Sequence, residues 1–294
     1  MREFLEACTR GLGLGSVYAL LALGFVIIYK ATRVISFAQP AFMLAGTVMV
    51  TYLVGPVGFW VAVPLAAIGT AALALGVERS VIRPMVGKPA FVVAILTLGV
   101  DQAVRVVVNG FIGLDVRQVG DPWGLRTVPV LGLSVQQRHI AMLITTTVLV
   151  FALFAFFRYT RMGLAMRAAS YDQEAALAQG VSVGAVFATS WAMAGALAAV
   201  AGAFSAVGGS VDQLLWLIAL TALPVIILGG LDSLVGAVIG GLLVGLVQEL
   251  TATYQDKVSW LGGNFSIITP YLVMMLVLLL KPYGLFGTRE VERV

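Results

Sequence analysis

The feature of this sequence that most constrains its fold is a set of long apolar stretches that contain no charged residue. Four of them are Gly11–Tyr29, Val57–Val77, Val183–Ser205 and Asn264–Leu280. Each is close to the ~20 residues that an α-helix needs to cross roughly 30 Å of hydrocarbon. The chain is 11% charged, whereas soluble domains carry about 25% charged residues. A water-soluble globular enzyme is therefore excluded, and the sequence predicts an all-α polytopic membrane protein.

Nine apolar stretches of about this length can be marked, seven of them without a charged residue, which predicts about nine transmembrane helices in one membrane domain that covers residues 1–294. The predicted spans are residues 11–29, 35–54, 57–77, 90–108, 139–157, 183–205, 214–230, 234–252 and 264–280. The second span is expected to be broken or re-entrant, because Pro40 lacks a backbone donor and disfavours a helical conformation at Gln39. A re-entrant second span would make the number of crossings even.

The distribution of Lys and Arg predicts the orientation, because inner connections of membrane proteins carry an excess of both. With the N-terminus outside, the connections on the inner side hold eleven of these residues and the outer ones hold six. The long connection 109–138 is then external and is expected to be irregular, and residues 158–182 are internal. We therefore expect an external N-terminus and a cytoplasmic C-terminus.

The sequence lacks the combinations of residues that catalytic sites and metal sites require. A single Cys, Cys8, and a single His, His139, cannot form a zinc site. No phosphate-binding G-x-x-x-x-G-K-[ST] motif and no plausible catalytic triad occur, so no catalytic or metal-binding residue is assigned. There is also no Lys/Arg run of the kind that binds nucleic acid.

The internal segment 158–182 reads RYTRMGLAMRAASYDQEAALAQGVS and predicts a short cytoplasmic helix. Asp172 is a potential N-cap, Glu174 lies in the first turn, and Gly180 is a potential stop. The helix could lie on the lipid head groups, but its Ala side chains would bury little apolar surface there. Small side chains suit a groove in a partner protein, so we favour docking.

The segment Lys30–Met43, KATRVISFAQPAFM, is the second candidate site. Backbone breaks at membrane depth are tolerated only against protein or a water-filled path, and they often mark transport sites. A plain connecting turn at the inner interface is an equally open interpretation. The candidates for lining a substrate path are Ser36, Phe37, Gln39, Pro40 and Phe42.

Three charged residues fall within predicted spans. Asp101 and Arg105 are four residues apart and share a helix face, which favours a structural salt bridge over a substrate contact. Glu249 lies near the outer end of its span and is interpreted as an interfacial carboxylate.

Five segments, in order along nearly the whole chain, resemble the permease subunits of the high-affinity branched-chain amino acid ABC importers. Gly11–Tyr29 is similar to the opening helix of that family. VISFAQPAFMLAG (Val34–Gly46) resembles its N-F-A-H-G-E-x-x-M-x-G stretch, and GLAMRAASYDQEAALAQGV (Gly163–Val181) resembles its cytoplasmic coupling segment. LGGLDSLVGAVIGGLLVG (Leu228–Gly245) resembles L-G-G-x-G-S-x-x-G-A-x-x-G-G, and the tail Lys281–Val294 resembles a P-x-G-L-x-G ending.

The resemblance implies a passive permease domain in the bacterial plasma (inner) membrane. Its expected partners are a second permease subunit, two ATP-binding subunits, a soluble substrate-binding protein and the lipid bilayer, with no nucleic acid. ATP and Mg²⁺ would bind the partner subunits, and no cofactor is expected in this chain. The residues implied in ATPase coupling are Arg167, Asp172, Glu174, Ala175, Ala176 and Gly180.

The chain departs from the family pattern, so the resemblance leaves the solute open. The Asn, His, Gly and Glu of the family pattern appear as Ser36, Gln39, Pro40 and Ala41, and Asp232 replaces a Gly. The expected solute is a branched-chain amino acid or a related amino acid, amide or carboxylate. The alternative function is a stand-alone channel or secondary transporter for a small solute such as urea.

Overall fold

A computed structural model describes residues 2–112, 117–124, 126–130, 133–257 and 264–287. The helices are α1 (Arg2–Thr32), α2 (Gln39–Val57), α3 (Phe59–Val77), α4 (Ala90–Ile112), α5 (Gln137–Tyr159), α6 (Arg161–Tyr171), α7 (Gln173–Ala178), α8 (Val183–Ser205), α9 (Leu217–Leu220), α10 (Ala222–Gly229), α11 (Leu234–Tyr254) and α12 (Phe265–Leu280). The strands are β1 (Arg117–Gln118), β2 (Thr127–Val130), β3 (Leu133–Gln136) and β4 (Ser210–Val211). Part of the family-like tail, residues 288–294, lies outside the described residues.

Apolar helices dominate the described chain, and the predicted all-α polytopic fold class is confirmed. Seven described helices are long and apolar enough to cross a membrane: α1, α2, α4, α5 and α8, together with α3 and α11 extended by further helical turns to Met85 and Lys257. The remaining two predicted spans form shorter apolar helices, Leu217–Gly229 and Phe265–Leu280. The count of nine is therefore not confirmed. In the first of these two helices, the chain makes a turn between α9 and α10, and the helix ends before Gly230, whose φ is 105°.

The chain divides into two compact units, which are described separately. Unit 1 comprises residues 1–22, 123–146 and 220–294, and unit 2 comprises residues 23–122 and 147–219. That the whole chain is a single permease domain stays a prediction.

In unit 1, glycines allow α1 and α11 to approach each other closely. A Cβ atom added to Gly241 would lie 2.5 Å from the backbone nitrogen of Ala19, and one added to Gly11 would lie 2.8 Å from the Cα of Leu246. Such distances leave no room for a side chain, and small residues are the usual means of close helix packing in lipid. Helices α10, α11 and α12 also pack together in this unit.

In unit 2, α2 is the central element. It packs against α3, α4 and α8, and residues 39–48 of α2 are all buried. Gly46 of α2 and Gly202 of α8 lie in this contact, where an added Cβ would overlap Ala199 and Thr47 respectively. The N-terminal half of α2 is therefore held within a well-packed core.

The interruption that the sequence predicts near Pro40 lies before α2, at residues 33–38. Gln39, expected to be non-helical, is instead the first residue of α2, and α2 is continuous over 19 residues. Pro40 occupies the first turn, where backbone amides need no partner within the helix and proline is well tolerated. The chain instead leaves the helical path at Arg33, whose φ is 58°.

The connection between α4 and α5, expected to be irregular, contains short strands. In unit 1, β2 and β3 form an antiparallel hairpin. In unit 2, β1 pairs with β4, with Arg117 opposite Val211. Residues 113–116, 125, 131 and 132 of this connection lie outside the described residues.

Candidate functional site

The predicted coupling segment forms two helices, α6 and α7, rather than one. The Thr160 side chain caps α6 by accepting a hydrogen bond from Gly163 N at 2.9 Å. Asp172 caps α7 by accepting one from Ala175 N at 2.9 Å, as the sequence predicts. The chain stops at Gly180, whose φ of 81° is a conformation that glycine adopts readily.

The exposed surface of this segment includes large apolar side chains as well as the Ala side chains that the sequence analysis emphasised. Arg167, Asp172, Glu174, Ala175 and Gly180 are exposed, whereas Ala176 is buried. Tyr171 and Leu177 are 90% and 61% exposed, and Leu164 of α6 is 60% exposed. Sequence reasoning missed these three residues because it weighed only the Ala run. Exposed apolar side chains that form a patch are typical of protein contact sites, so these residues are candidates for such a surface.

The N-terminus of α2 is capped from α4. Thr97 Oγ1 accepts a hydrogen bond from Phe37 N at 2.9 Å, and Asp101 Oδ1 accepts one from Ala41 N at 3.1 Å. Thr97 and Asp101 are four residues apart and therefore share one face of α4. Carboxylate and hydroxyl oxygens satisfy amides that no carbonyl of α2 can reach.

Asp101 also belongs to an ion pair with Arg105. The Nε of Arg105 lies 2.8 Å from Asp101 Oδ2, and its guanidinium carbon lies 3.9 Å from the centre of the Trp216 ring. The Arg105 and Asp101 side chains are 12% and 7% exposed. The pair therefore acts as a structural salt bridge that positions the cap of α2.

The candidate path residues lie at the beginning of α2, and most are buried. Ser36, Gln39, Pro40 and Phe42 are buried and Phe37 is half-buried. The structure brings them together with α8, because the Phe42 ring lies edge-on to Trp191 with centroids 6.0 Å apart. Trp191 carries no signal in the sequence that marks it as part of this cluster.

Gln39 is the polar centre of this cluster. Its Nε2 donates a hydrogen bond to Ala194 O of α8 at 3.1 Å. Gly24 of α1 leaves the space that the amide occupies, since a Cβ there would overlap Nε2. Gln39 Oε1 and Trp191 Nε1 are both buried, and neither makes a hydrogen bond within the described part of the chain. Buried polar atoms in proteins usually have a hydrogen-bond partner, so these two atoms make the cluster a candidate site.

Glu249 is not a lone interfacial carboxylate. In unit 1 its Oε1 lies 2.6 Å from Arg10 Nε, and Arg10 Nη2 donates a second hydrogen bond to Thr253 Oγ1 at 3.0 Å. The three charged residues that the sequence places within spans thus all have an ion-pair partner.

A large cavity in unit 2 lies between α2, α3 and α4. Its volume is about 750 Å³, and its wall includes Ala45, Met49, Gly69, Val104 and Val107. The lining is almost entirely apolar, so this cavity is unsuited to a polar solute.

The sequence model of a known family, described as branched-chain amino acid transport system / permease component, matches residues 7–280. The chain belongs to this family. The match confirms the resemblance to this family, and four of the five sequence segments lie within the matched residues. The subunit is accordingly a polytopic permease component of the ABC transporter type.

Two relatives cover almost the whole chain. The high-affinity branched-chain amino acid transport system permease protein LivH of Salmonella typhimurium strain LT2 is 28% identical over 99% of this chain and 98% of its own length. The corresponding protein BraD of Pseudomonas aeruginosa is 26% identical, with the same coverage of 99% and 98%. A solved structure of PsaBC from Streptococcus pneumoniae in complex with Fab has a TM-score of 0.49 at 12% identity and covers 94% of this chain and 91% of that chain.

The Asp101–Arg105 pair generates a stability prediction. We expect Asp101→Ala to destabilise the protein by about 3–5 kcal/mol, because it leaves the Arg105 charge buried without its partner. The double variant Asp101→Ala/Arg105→Met should recover part of this loss. Thermal unfolding in detergent measures both effects.

Gln102→Ala, an exposed neighbour on α4, is the control and should unfold like the wild type. The single variant Arg105→Met completes the comparison. If the loss of unfolding free energy in the double variant equalled the sum of the losses in the two single variants, the ion pair would not be the source of the effect.

Proposed function

We propose that this chain is a transmembrane permease subunit of an ATP-driven importer that passes a small polar solute through the plasma (inner) membrane of a bacterium. The observation that carries the proposal is the capped, partly apolar surface of α6 and α7 in a chain of this permease family. Such a surface offers a docking site for a separate ATPase subunit. Two ATPase subunits, a second permease subunit and a soluble substrate-binding protein would complete the transporter.

The docking surface that we propose consists of Tyr171, Glu174, Ala175 and Leu177. All four are exposed, and the caps at Asp172 and Gly180 fix the helix that carries the last three. Ala176 is buried and would support this surface from beneath. Aromatic residues are enriched among the few side chains that dominate the binding free energy of protein interfaces, so Tyr171 would be the main anchor and Leu177 would add apolar contact.

The pairing of charges favours an external energy source over ion coupling. Secondary transporters and channels use ionisable residues within the membrane as coupling or selectivity sites. Here Asp101 is bound to Arg105 and Ala41, and Glu249 is bound to Arg10. Groups that are already neutralised by partners are poorly suited to bind a coupling ion.

We propose that the solute passes near the start of α2, where Gln39, Phe42 and Trp191 meet. This cluster offers an unpaired acceptor, an unpaired donor and aromatic surface. A zwitterionic aliphatic amino acid, or a related amide or carboxylate, presents complementary groups. Because these side chains are buried, contact with the solute requires α2 and α8 to separate locally.

We propose that the N-terminus lies outside and the C-terminus in the cytoplasm. The eleven-to-six excess of Lys and Arg on the inner connections supports this orientation. It also places α6 and α7 on the side where ATP is present.

Substitution of Leu177 tests the docking surface. We expect Leu177→Arg to weaken association with the ATPase subunits by about 2 kcal/mol or more, the scale of an interface hot spot. The measurement is the amount of ATPase subunit that co-purifies with tagged permease from detergent.

The control is Tyr283→Arg after α12, because Tyr283 is 50% exposed and Leu177 is 61% exposed. Wild-type recovery of the ATPase by Leu177→Arg would contradict docking at α7.

Substitution of Gln39 tests the solute path. Gln39→Ala removes a buried acceptor and should change the ratio of uptake rates for two solutes by about five-fold or more, the scale of one ~1 kcal/mol hydrogen bond. Uptake of a panel of aliphatic amino acids, amides and urea is the measurement. Thr47→Ala, another buried polar position on α2, should leave these ratios unchanged. Identical ratios for Gln39→Ala and wild type would reduce this cluster to a structural role.

Cysteine labelling tests the orientation. In a Cys8→Ser background expressed without the ATPase subunits, Ala178→Cys on α7 and Ser134→Cys on β3 are both at exposed positions. We expect a membrane-impermeant maleimide to label Ser134→Cys in intact cells and Ala178→Cys only after permeabilisation. The reverse pattern would contradict the proposed orientation.

A further inference from the structure

The backbone between α1 and α2 has an unusual conformation at Arg33. Its φ is 58°, and among the described residues it is the single non-glycine residue with a positive φ. Glycine or asparagine normally occupies such a position at the end of a helix. An arginine remains there only when surrounding contacts hold it, and this points to the guanidinium group.

Two hydrogen bonds connect this turn to the coupling segment. Arg33 Nη2 donates to the carbonyl of Ser170 in the last turn of α6. Gln173 Nε2, at the first residue of α7, donates to the carbonyl of Ala31 in the last turn of α1 at 2.9 Å. The arrangement is reciprocal, because each side supplies one side-chain donor and one carbonyl from a helix C-terminus. Such carbonyls lack partners within their own helices and need donors from elsewhere.

The contacts extend from the docking surface to the beginning of α2. Gln173 directly precedes Glu174, and Leu177 lies one turn further along α7. In the turn between α1 and α2, Phe37 lies four residues after Arg33, and its amide donates a hydrogen bond to Thr97. The chain then enters α2, where Asp101 holds the amide of Ala41. All of these residues belong to unit 2.

We propose that Arg33 and Gln173 are positioning residues that couple the movement of α6 and α7 to the start of α2. This inference rests on the proposed function, since an ATPase subunit docked on α7 supplies the movement. A displacement of α7 pulls on the end of α1 through Gln173 and Ala31. The accompanying displacement of α6 pulls on the 33–38 turn through Ser170 and Arg33. The turn transmits it to the cluster around Gln39. A static brace with no part in coupling is the alternative that the experiment must separate.

Two substitutions break the two hydrogen bonds with little other change. Gln173→Glu is nearly isosteric but replaces the amide donor with an acceptor that repels the Ala31 carbonyl. Arg33→Gly keeps the positive φ without strain and removes the guanidinium donor. Arg33→Lys retains a charged donor on a long flexible side chain and is the conservative variant. The matched controls are Gln179→Glu, exposed on the same segment, and Arg79→Ala, exposed after α3.

The measurement is the number of solute molecules imported per ATP hydrolysed by the complete transporter in proteoliposomes. We expect Gln173→Glu and Arg33→Gly to lower this ratio by about five-fold or more, the lower end of typical coupling between sites. ATP hydrolysis and recovery of the assembled complex should stay within about two-fold of wild type, on the same scale. Arg33→Lys should restore most of the ratio, and both controls should match wild type.

An unchanged ratio in Gln173→Glu and Arg33→Gly would overturn the proposal. A loss of thermal stability or assembly in both variants, without a fall of the ratio in the complexes that remain, would instead identify a static brace and would also overturn it. A wild-type complex that imports nothing in the presence of ATP would contradict the proposed function, and the coupling role with it.

Discussion

The physical constraint on which the structure depends is the satisfaction of backbone polar groups where the helical path is interrupted inside an apolar protein. Between α1 and α2 the ladder of helix hydrogen bonds ends, and unpaired amides and carbonyls are costly away from water. Side chains from other elements satisfy them: Thr97 and Asp101 bind amides, and Gln173 binds a carbonyl. Because Asp101 would be expensive to bury alone, Arg105 and Trp216 accompany it. The interruption therefore requires hydrogen-bonding groups from α4, α6 and α7.

This constraint joins two regions that the sequence presents as separate. The coupling segment and the start of α2 are more than a hundred residues apart, yet Ala31, Arg33, Ser170 and Gln173 connect them. The same arrangement leaves Gln39 facing α8 with an unpaired acceptor. A permease that is driven by a separate ATPase requires a mechanical link of this kind.

Much of the fold follows from the sequence, because span length and charge depend on local composition. The predicted span 183–205 matches α8, and the caps at Asp172 and Gly180 form as predicted. The position of the interruption could not be predicted, because a first-turn proline is compatible with a helix that begins at Gln39 and the turn is stabilised by residues distant in sequence. The burial of Ala176 and the contacts of Trp191 likewise depend on tertiary packing. Thr97 could have been found, because it lies one turn before Asp101 on the same face of α4.

The central claim is that this chain conducts a solute only when a separate ATPase drives it. Its most direct test is solute uptake by proteoliposomes that contain the purified permease with its binding protein, measured with and without the ATPase subunits and ATP. The account predicts accumulation against a gradient only when both the ATPase subunits and ATP are present. Uptake at a comparable rate by the permease alone would contradict it and would identify the chain as a channel or secondary transporter.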